Sequence, residues 1–156
     1  MSGLIGQTLK GTKFKIKKKK LLAFAKSIGA TQPEYFGDDP IAHPAYANAY
    51  VFPALGGAGS AKNEDGSSII TNPLAILHGG QVYSFPKGAP PLKDGDKVET
   101  VPSIKSIEVK SNGMLVMALE AISKVVVSSD ESKIGKTVCI SEIGVVCQKG
   151  GFNLKD

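Results

Sequence analysis

The chain has 156 residues, 42% hydrophobic and 21% charged, which is enough for one buried core and too apolar for a disordered segment. No apolar run reaches the roughly 18–20 residues a membrane span needs, and the opening MSGLIGQTLKGTKF has no apolar h-region or small-residue cleavage site, so a cytoplasmic location is expected. The net charge of +5 favours anionic partners, but ten aromatics, no tryptophan and no arginine–aromatic interleaving argue against nucleic acid.

In TLKGTKFKI, Phe14 and Ile16 alternate with Lys13, Lys15 and Lys17, which predicts a half-buried strand. The run Lys13–Lys20 holds much of the positive excess and reads as a solvated face. The period then changes. Leu21, Phe24, Ala25 and Ile28 fall at i, i+3, i+4 and i+7, one stripe of a helix, and Gly29 stands where a C-terminal cap belongs. Lysines at the start of this helix oppose its dipole, so another group must fix that end. From Gly29 to Tyr50 the chain is loop-rich, with Pro33, Pro40 and Pro44 excluding a long helix. A short helix is predicted at Pro53, GGAG (Gly56–Gly59) reads as a flexible turn, and GSAKNEDGSSIITNP as a mobile surface loop.

The remainder reads as four strands: about 75–85, a long one in KVETVPSIKSIEVK bent or bulged by Pro102, MLVMALEAISKVVV, and KTVCISEIGVVC. Asn112-Gly113 marks a hairpin turn suited to positive φ. The last two strands are apolar on both parities and must be covered on both faces. The helix is the expected cover on one side and a second subunit, or second copy of the fold, on the other. Cys139 and Cys147, eight apart in an apolar run, read as buried free thiols, and no histidine joins them at metal-ligand spacing. The order of elements gives an α+β class, a curved antiparallel sheet wrapped round a helix in one domain over 1–156.

Five pieces in this order carry a family resemblance: LLAFAKSIGATQPEYF, YVFPAL (Tyr50–Leu55), ILHGGQVYSF (Ile76–Phe85), PPLKDGDKV (Pro90–Val98) and SNGMLVM (Ser111–Met117). The chain resembles the MaoC-like hydratases, or hydratase 2 family, of the hotdog fold, and most of all the N-terminal-half or non-catalytic "A" subunit of (R)-hydroxyacyl dehydratases. The resemblance implies that YVFPAL begins the central helix of the fold. It also implies a chemistry, the addition of water to a 2-enoyl thioester or its removal from an (R)-3-hydroxyacyl thioester, carried on coenzyme A or acyl carrier protein, without cofactor or metal. An Asp and a His supply general acid–base catalysis in such members, from a turn reading Asp-x-Asn-Pro-x-His.

Laid onto this chain, that turn places Ala30 at the Asp, Gln32 at the Asn, Pro33 at the Pro and Tyr35 at the His. Ala30 cannot titrate, and a phenol with an ordinary pKa near 10 is a poor base at neutral pH. Nearby residues offer substitutes. His43 with Asp38 or Asp39 is the candidate dyad; Glu34 would serve only if buried. Tyr35, Phe36, Phe52 and His78 are the candidate substrate-facing residues. Lys93 and Lys97, with Lys17–Lys20 and Lys87, are candidates for a positive rim toward phosphates or an acidic carrier. Three functions are expected to compete: a non-catalytic subunit completing the acyl pocket of a catalytic hotdog partner, an active hydratase or dehydratase built on His43, and a homodimeric acyl-CoA-binding protein without chemistry.

Overall fold

The structure, a computed structural model, describes residues 2–155. Five strands form one sheet: β1 (Thr12–Lys15), β2 (Ile76–Ser84), β3 (Lys97–Val109), β4 (Leu115–Val127) and β5 (Thr137–Cys147). They lie in the order β1-β3-β4-β5-β2, and every neighbouring pair is antiparallel. Two helices accompany them, α1 (Lys18–Ser27) and α2 (Ala47–Val51), the second continuing as a 3-10 segment over Phe52–Ser60.

The core lies between the concave face of the sheet and the segment Pro44–Ser60. Leu115, Met117, Leu119, Ala121 and Val125 of β4 and Cys139, Ile143, Val145 and Cys147 of β5 point into it, all essentially without exposure. Ala47, Tyr50, Val51, Ala54 and Ala58 face them from the central segment. This segment, read partly as loop from its prolines, is the element that covers the sheet; it packs on β1, β3 and β5. α1 does not cover it. Only Leu21 and Ala25 are buried on α1, and Ile28, expected on the apolar stripe, is 45% exposed. The α-helix begins at Ala47, ahead of the expected start at Pro53. Pro53 lies in its 3-10 continuation, where the missing N–H and the ring rule out α geometry. The carbonyl of Tyr50 turns to accept a bond from the buried Thr100 hydroxyl (3.1 Å), itself paired with Ser123 at 2.7 Å.

GGAG is a packed part of this continuation rather than a flexible turn. A Cβ at Gly57 would stand 2.6 Å from the Lys10 carbonyl oxygen and 2.9 Å from Pro102 Cγ, so the absence of a side chain lets the segment touch β3. The stretch expected to be a mobile loop is tied down as well. Asn63, 4% exposed, donates to the Asn153 carbonyl and accepts from the Lys155 N–H, and Ile69 and Ile70 are buried.

Pro102 fits inside β3 because its ring nitrogen faces the N-terminal segment, where its own carbonyl accepts from Leu9 N–H; the β4 ladder loses nothing. The register shift in mid-β3 lies between Ile104 and Ser106, not at the proline. The hairpin at Ser111–Gly113 closes with Gly113 N–H donating to Lys110 O, and Gly113 alone takes positive φ (+81°); Asn112 instead accepts from Met114 N–H. α1 ends as its glycine predicts. Gly29 adopts φ +70°, its N–H reaches Lys26 O and the Ala30 N–H reaches Ala25 O, a Schellman closure. The group that fixes the other end is Asp94, which accepts from Lys18 N–H at 2.7 Å. The same connector, PPLKDGDKV, carries Asp96, 2% exposed, bound by Ser128 Oγ (2.7 Å), by the Lys93 N–H (2.9 Å) and by the buried ammonium of Lys133.

Candidate functional site

Two side-chain clusters stand on the exposed flank of the central segment. The first gathers round His43. Its ring meets Tyr35 edge-on at 4.7 Å and lies 6.4 Å from Phe24, which packs on Tyr46 at 5.3 Å. Ala30 and Gln32 occupy backbone roles: Ala30 closes the α1 cap, and Gln32, held extended by the following proline, accepts from Thr31 N–H. His43 Nδ1 accepts from Ala45 N–H at 3.1 Å and caps the turn that opens the central segment. A backbone N–H can only donate, so in the neutral ring the proton sits on Nε2. That imidazole can give a hydrogen bond through Nε2 but has no free lone pair to take a proton.

The aspartates expected to partner it are engaged elsewhere. Asp38 pairs with Lys18 (3.5 Å) and Asp39 with Lys93, and no hydrogen bond or ion pair joins either to His43 among the described residues. Glu34 is exposed. His43, Pro44, Tyr50, Phe85, Leu92 and Val138 line a cleft of about 250 Å³. In its wall Tyr50 is 3% exposed, and burial lifts its phenol well above the ordinary range. Beside it burial pushes the Cys139 thiol up to about 11. Both cysteines are buried free thiols, as read from the sequence.

The second cluster lies along β2. Phe52, 40% exposed, meets His78 edge-on at 5.1 Å. His78 Nε2 bonds Gln81 Oε1 (3.1 Å), Gln81 Nε2 donates to Ser141 Oγ (2.6 Å), and Ser141 donates to Val82 O (2.8 Å). Residues three apart on a strand would ordinarily point to opposite faces. The register shift between His78 and Gly80 inserts one residue, and both side chains fall on the helix side. Asn48, one turn before Phe52, accepts from Tyr83 OH at 2.8 Å. That bond ties the central segment to β2 between the two clusters.

The structure brings Tyr35 to His43 and Phe52 to His78 but does not join the two pairs, and Phe36 is half-buried on the Tyr35 turn. Lys93 spends its ammonium on Asp39, while Lys97 is half-exposed on β3. Asn48, Gln81, Tyr83 and Ser141 were missed from sequence; the glycine pair after His78 was the one signal of a bulge that could have pointed to Gln81.

The curled sheet around one helical segment is the hotdog fold. The chain superimposes on the R-hydratase PhaJ1 from Pseudomonas aeruginosa in the unliganded form (TM-score 0.59, 17% identity, 93% of this chain and 82% of that one). It also matches a MaoC-like dehydratase from Rhodospirillum rubrum (0.64, 15%, 93% and 92%) and the HadBC (3R-hydroxyacyl-ACP dehydratase) complex from Mycobacterium tuberculosis (0.60, 15%, 92% and 96%). No curated protein sequence matches it significantly. A family model described as "FAS1-like, dehydratase domain region" matches residues 3–131, and the chain belongs to this dehydratase family of MaoC-like hotdog proteins.

Proposed function

We propose that this chain is a non-catalytic hotdog subunit that completes the acyl-binding cleft of a hydratase or (R)-3-hydroxyacyl dehydratase, the acid–base pair coming from a partner subunit. The observation that carries the reading is the state of the dyad positions. By the sequence resemblance Ala30 and Tyr35 fall at the Asp and His positions of the family turn, and the imidazole beside Tyr35 has its Nδ1 bound to a backbone N–H. With Nδ1 so engaged, His43 is placed to donate through Nε2 and not to act as a general base. The cleft beside it has apolar walls from Tyr50, Phe85, Leu92 and Val138, suited to an acyl chain. The thioester is carried on coenzyme A or acyl carrier protein, and no cofactor takes part.

A second hotdog subunit is supported by the edge of the sheet. β2 has one ladder neighbour, β5, and its nine residues include no Asp, Glu, Lys or Pro to discourage pairing. Leu77 and Val82 on it are 48% and 58% exposed. The structural neighbour HadBC is itself a two-component dehydratase complex.

The test is an assay with crotonyl-CoA and longer enoyl-CoAs, on the pure chain and on the chain co-expressed with a hotdog protein reading Asp-x-Asn-Pro-x-His. The expected result is no turnover by the chain alone, a stable complex, and turnover by the complex that the partner's Asp→Ala variant abolishes. Turnover by the chain alone that His43→Ala removes would overturn the proposal.

A further inference from the structure

The bulge in β2 turns on one residue, Gly79. His78 lies opposite Val145 and Gly80 opposite Gly144, which leaves Gly79 as the extra residue. The bulged backbone presses on β5. A Cβ at Gly144 would stand 3.0 Å from the Gly80 nitrogen, and one at Gly79 would stand 3.0 Å from Val146 Cγ2. Glycine at these positions makes room for the irregularity. Its effect is to re-aim a side chain, so that His78 and Gln81 share one face of the sheet.

The chain of hydrogen bonds that follows has one direction. Ser141, 1% exposed, donates its O–H to Val82 O and therefore accepts from Gln81 Nε2. The amide oxygen of Gln81 is left facing His78 and can only accept, so in the neutral ring Nε2 carries the proton. Nδ1 keeps its lone pair and has no partner among the described residues. His43 is the reverse case, with Nδ1 engaged and Nε2–H free. Of the two histidines in the chain, His78 alone offers an open acceptor. Phe52 stands edge-on to it at 5.1 Å, and its own strand contains no Asp, Glu, Lys or Arg. An acceptor beside an apolar ring, with no charge on its strand, selects a neutral O–H or N–H donor flanked by carbon. Phosphates and ionised carboxylates, which only accept, meet a lone pair there.

His78 stands away from the cleft of its own chain. Phe85, in the wall of that cleft, lies at the other end of β2, roughly 20 Å along the strand. Two β2 edges that meet about a two-fold axis run antiparallel, which sets the start of one strand against the end of the other. We infer that in the two-subunit unit His78 is this chain's contribution to the partner's cleft: its Nδ1 accepts a hydrogen bond from the hydroxyl of an (R)-3-hydroxyacyl thioester, and Phe52 meets the adjoining acyl carbons. Gln81 and Ser141 are positioning residues, acting through His78. The inference rests on the proposed function, which supplies the pairing of β2 and the acyl thioester. It adds a preference for the hydroxyacyl over the enoyl ligand, since the enoyl form has no O–H to give.

Two measurements test it. Nitrogen-15 NMR of the chain alone reads both imidazoles, with His43→Asn assigning the signals. His78 is expected to show a protonated Nε2 and a bare Nδ1, and Gln81→Leu to mix the two tautomers. The complex with a hotdog protein reading Asp-x-Asn-Pro-x-His, silenced by the partner's Asp→Ala, is then titrated by calorimetry. The ligands are (R)-3-hydroxyhexanoyl-CoA and 2-hexenoyl-CoA, which share the coenzyme and the chain length. His78→Phe is expected to weaken the hydroxyacyl ligand about tenfold and the enoyl ligand by less than about twofold. His78→Asn, whose amide oxygen can stand near the Nδ1 position, is expected to keep most of the affinity. Equal losses for the two ligands, which would put His78 on the shared coenzyme arm, an unchanged hydroxyacyl affinity in His78→Phe, or a proton on His78 Nδ1 would overturn the inference and leave the dehydratase reading standing. Absence of any complex would overturn both.

Discussion

His43 is fixed by what its two nitrogens can do. With Nδ1 capping Ala45 N–H, its contribution is to the start of the central segment. His43→Ala is expected to cost about 1 kcal/mol, the usual loss for an N-cap, read as a lower thermal midpoint, with turnover of the two-subunit complex unchanged; His43→Asn, which can accept the same bond, restores most of the stability. A second residue-level expectation concerns Cys139, whose thiol burial raises from about 9 to about 11. For an acid raised in the folded state the unfolded chain ionises first. The associated stability is therefore complete below pH 9 and is lost as pH rises from about 9 to about 11. Chemical denaturation across that window should show a smaller fall in Cys139→Ala than in the parent.

At the level of elements, two close approaches hold the layers in place. Gly57 lets the central segment meet Lys10 and Pro102 without a side chain between them. Gly57→Ala forces a methyl into that contact and is expected to cost about 1–3 kcal/mol, as overpacking does, measured by urea denaturation. The connector before β3 depends on a buried ion pair. Asp96→Asn leaves the Lys133 ammonium, a side chain only 8% exposed, without its countercharge; a loss of about 3–5 kcal/mol is expected. The double variant Asp96→Asn/Lys133→Met should recover much of it, since the cost lies in the unpaired charge and not in the absence of the pair.

For the whole molecule the open features are the β2 edge and the outer face of the sheet. Ile140 and Val82 are exposed there, and Val101, Ile122 and Val126 lie half-covered along a groove with Ile134. The apolar run on both parities of β4 and β5 calls for a second cover, and among the described residues these outer-face side chains remain exposed or half-covered. Leu77→Lys/Val82→Lys, which places two charges on the edge strand, is expected to weaken association with a hotdog partner at least tenfold while leaving the monomer's melting temperature within a few degrees; analytical ultracentrifugation reads the first and calorimetry the second.

Period and punctuation in the sequence determined the strands, the end of α1 at Gly29 and the hotdog order of elements, because these depend on alternation, helical spacing and a glycine able to take positive φ. The placing of Ala30 and Tyr35 at the family's Asp and His positions is a reading of the sequence resemblance, a matter of residue type and spacing. Periodicity pointed to α1 as the cover and the resemblance to YVFPAL; that the central segment and not α1 covers the sheet was decided in three dimensions, where prolines that forbid a long helix still allow a short α-turn running into a 3-10 segment once Thr100 and the sheet satisfy its backbone. The partners of His43, Asp38 and Asp39 were likewise settled by folding. Their nearness in sequence suggested a dyad, but a backbone N–H and two lysines, one of them 54 residues away, lay closer in space and claimed all three.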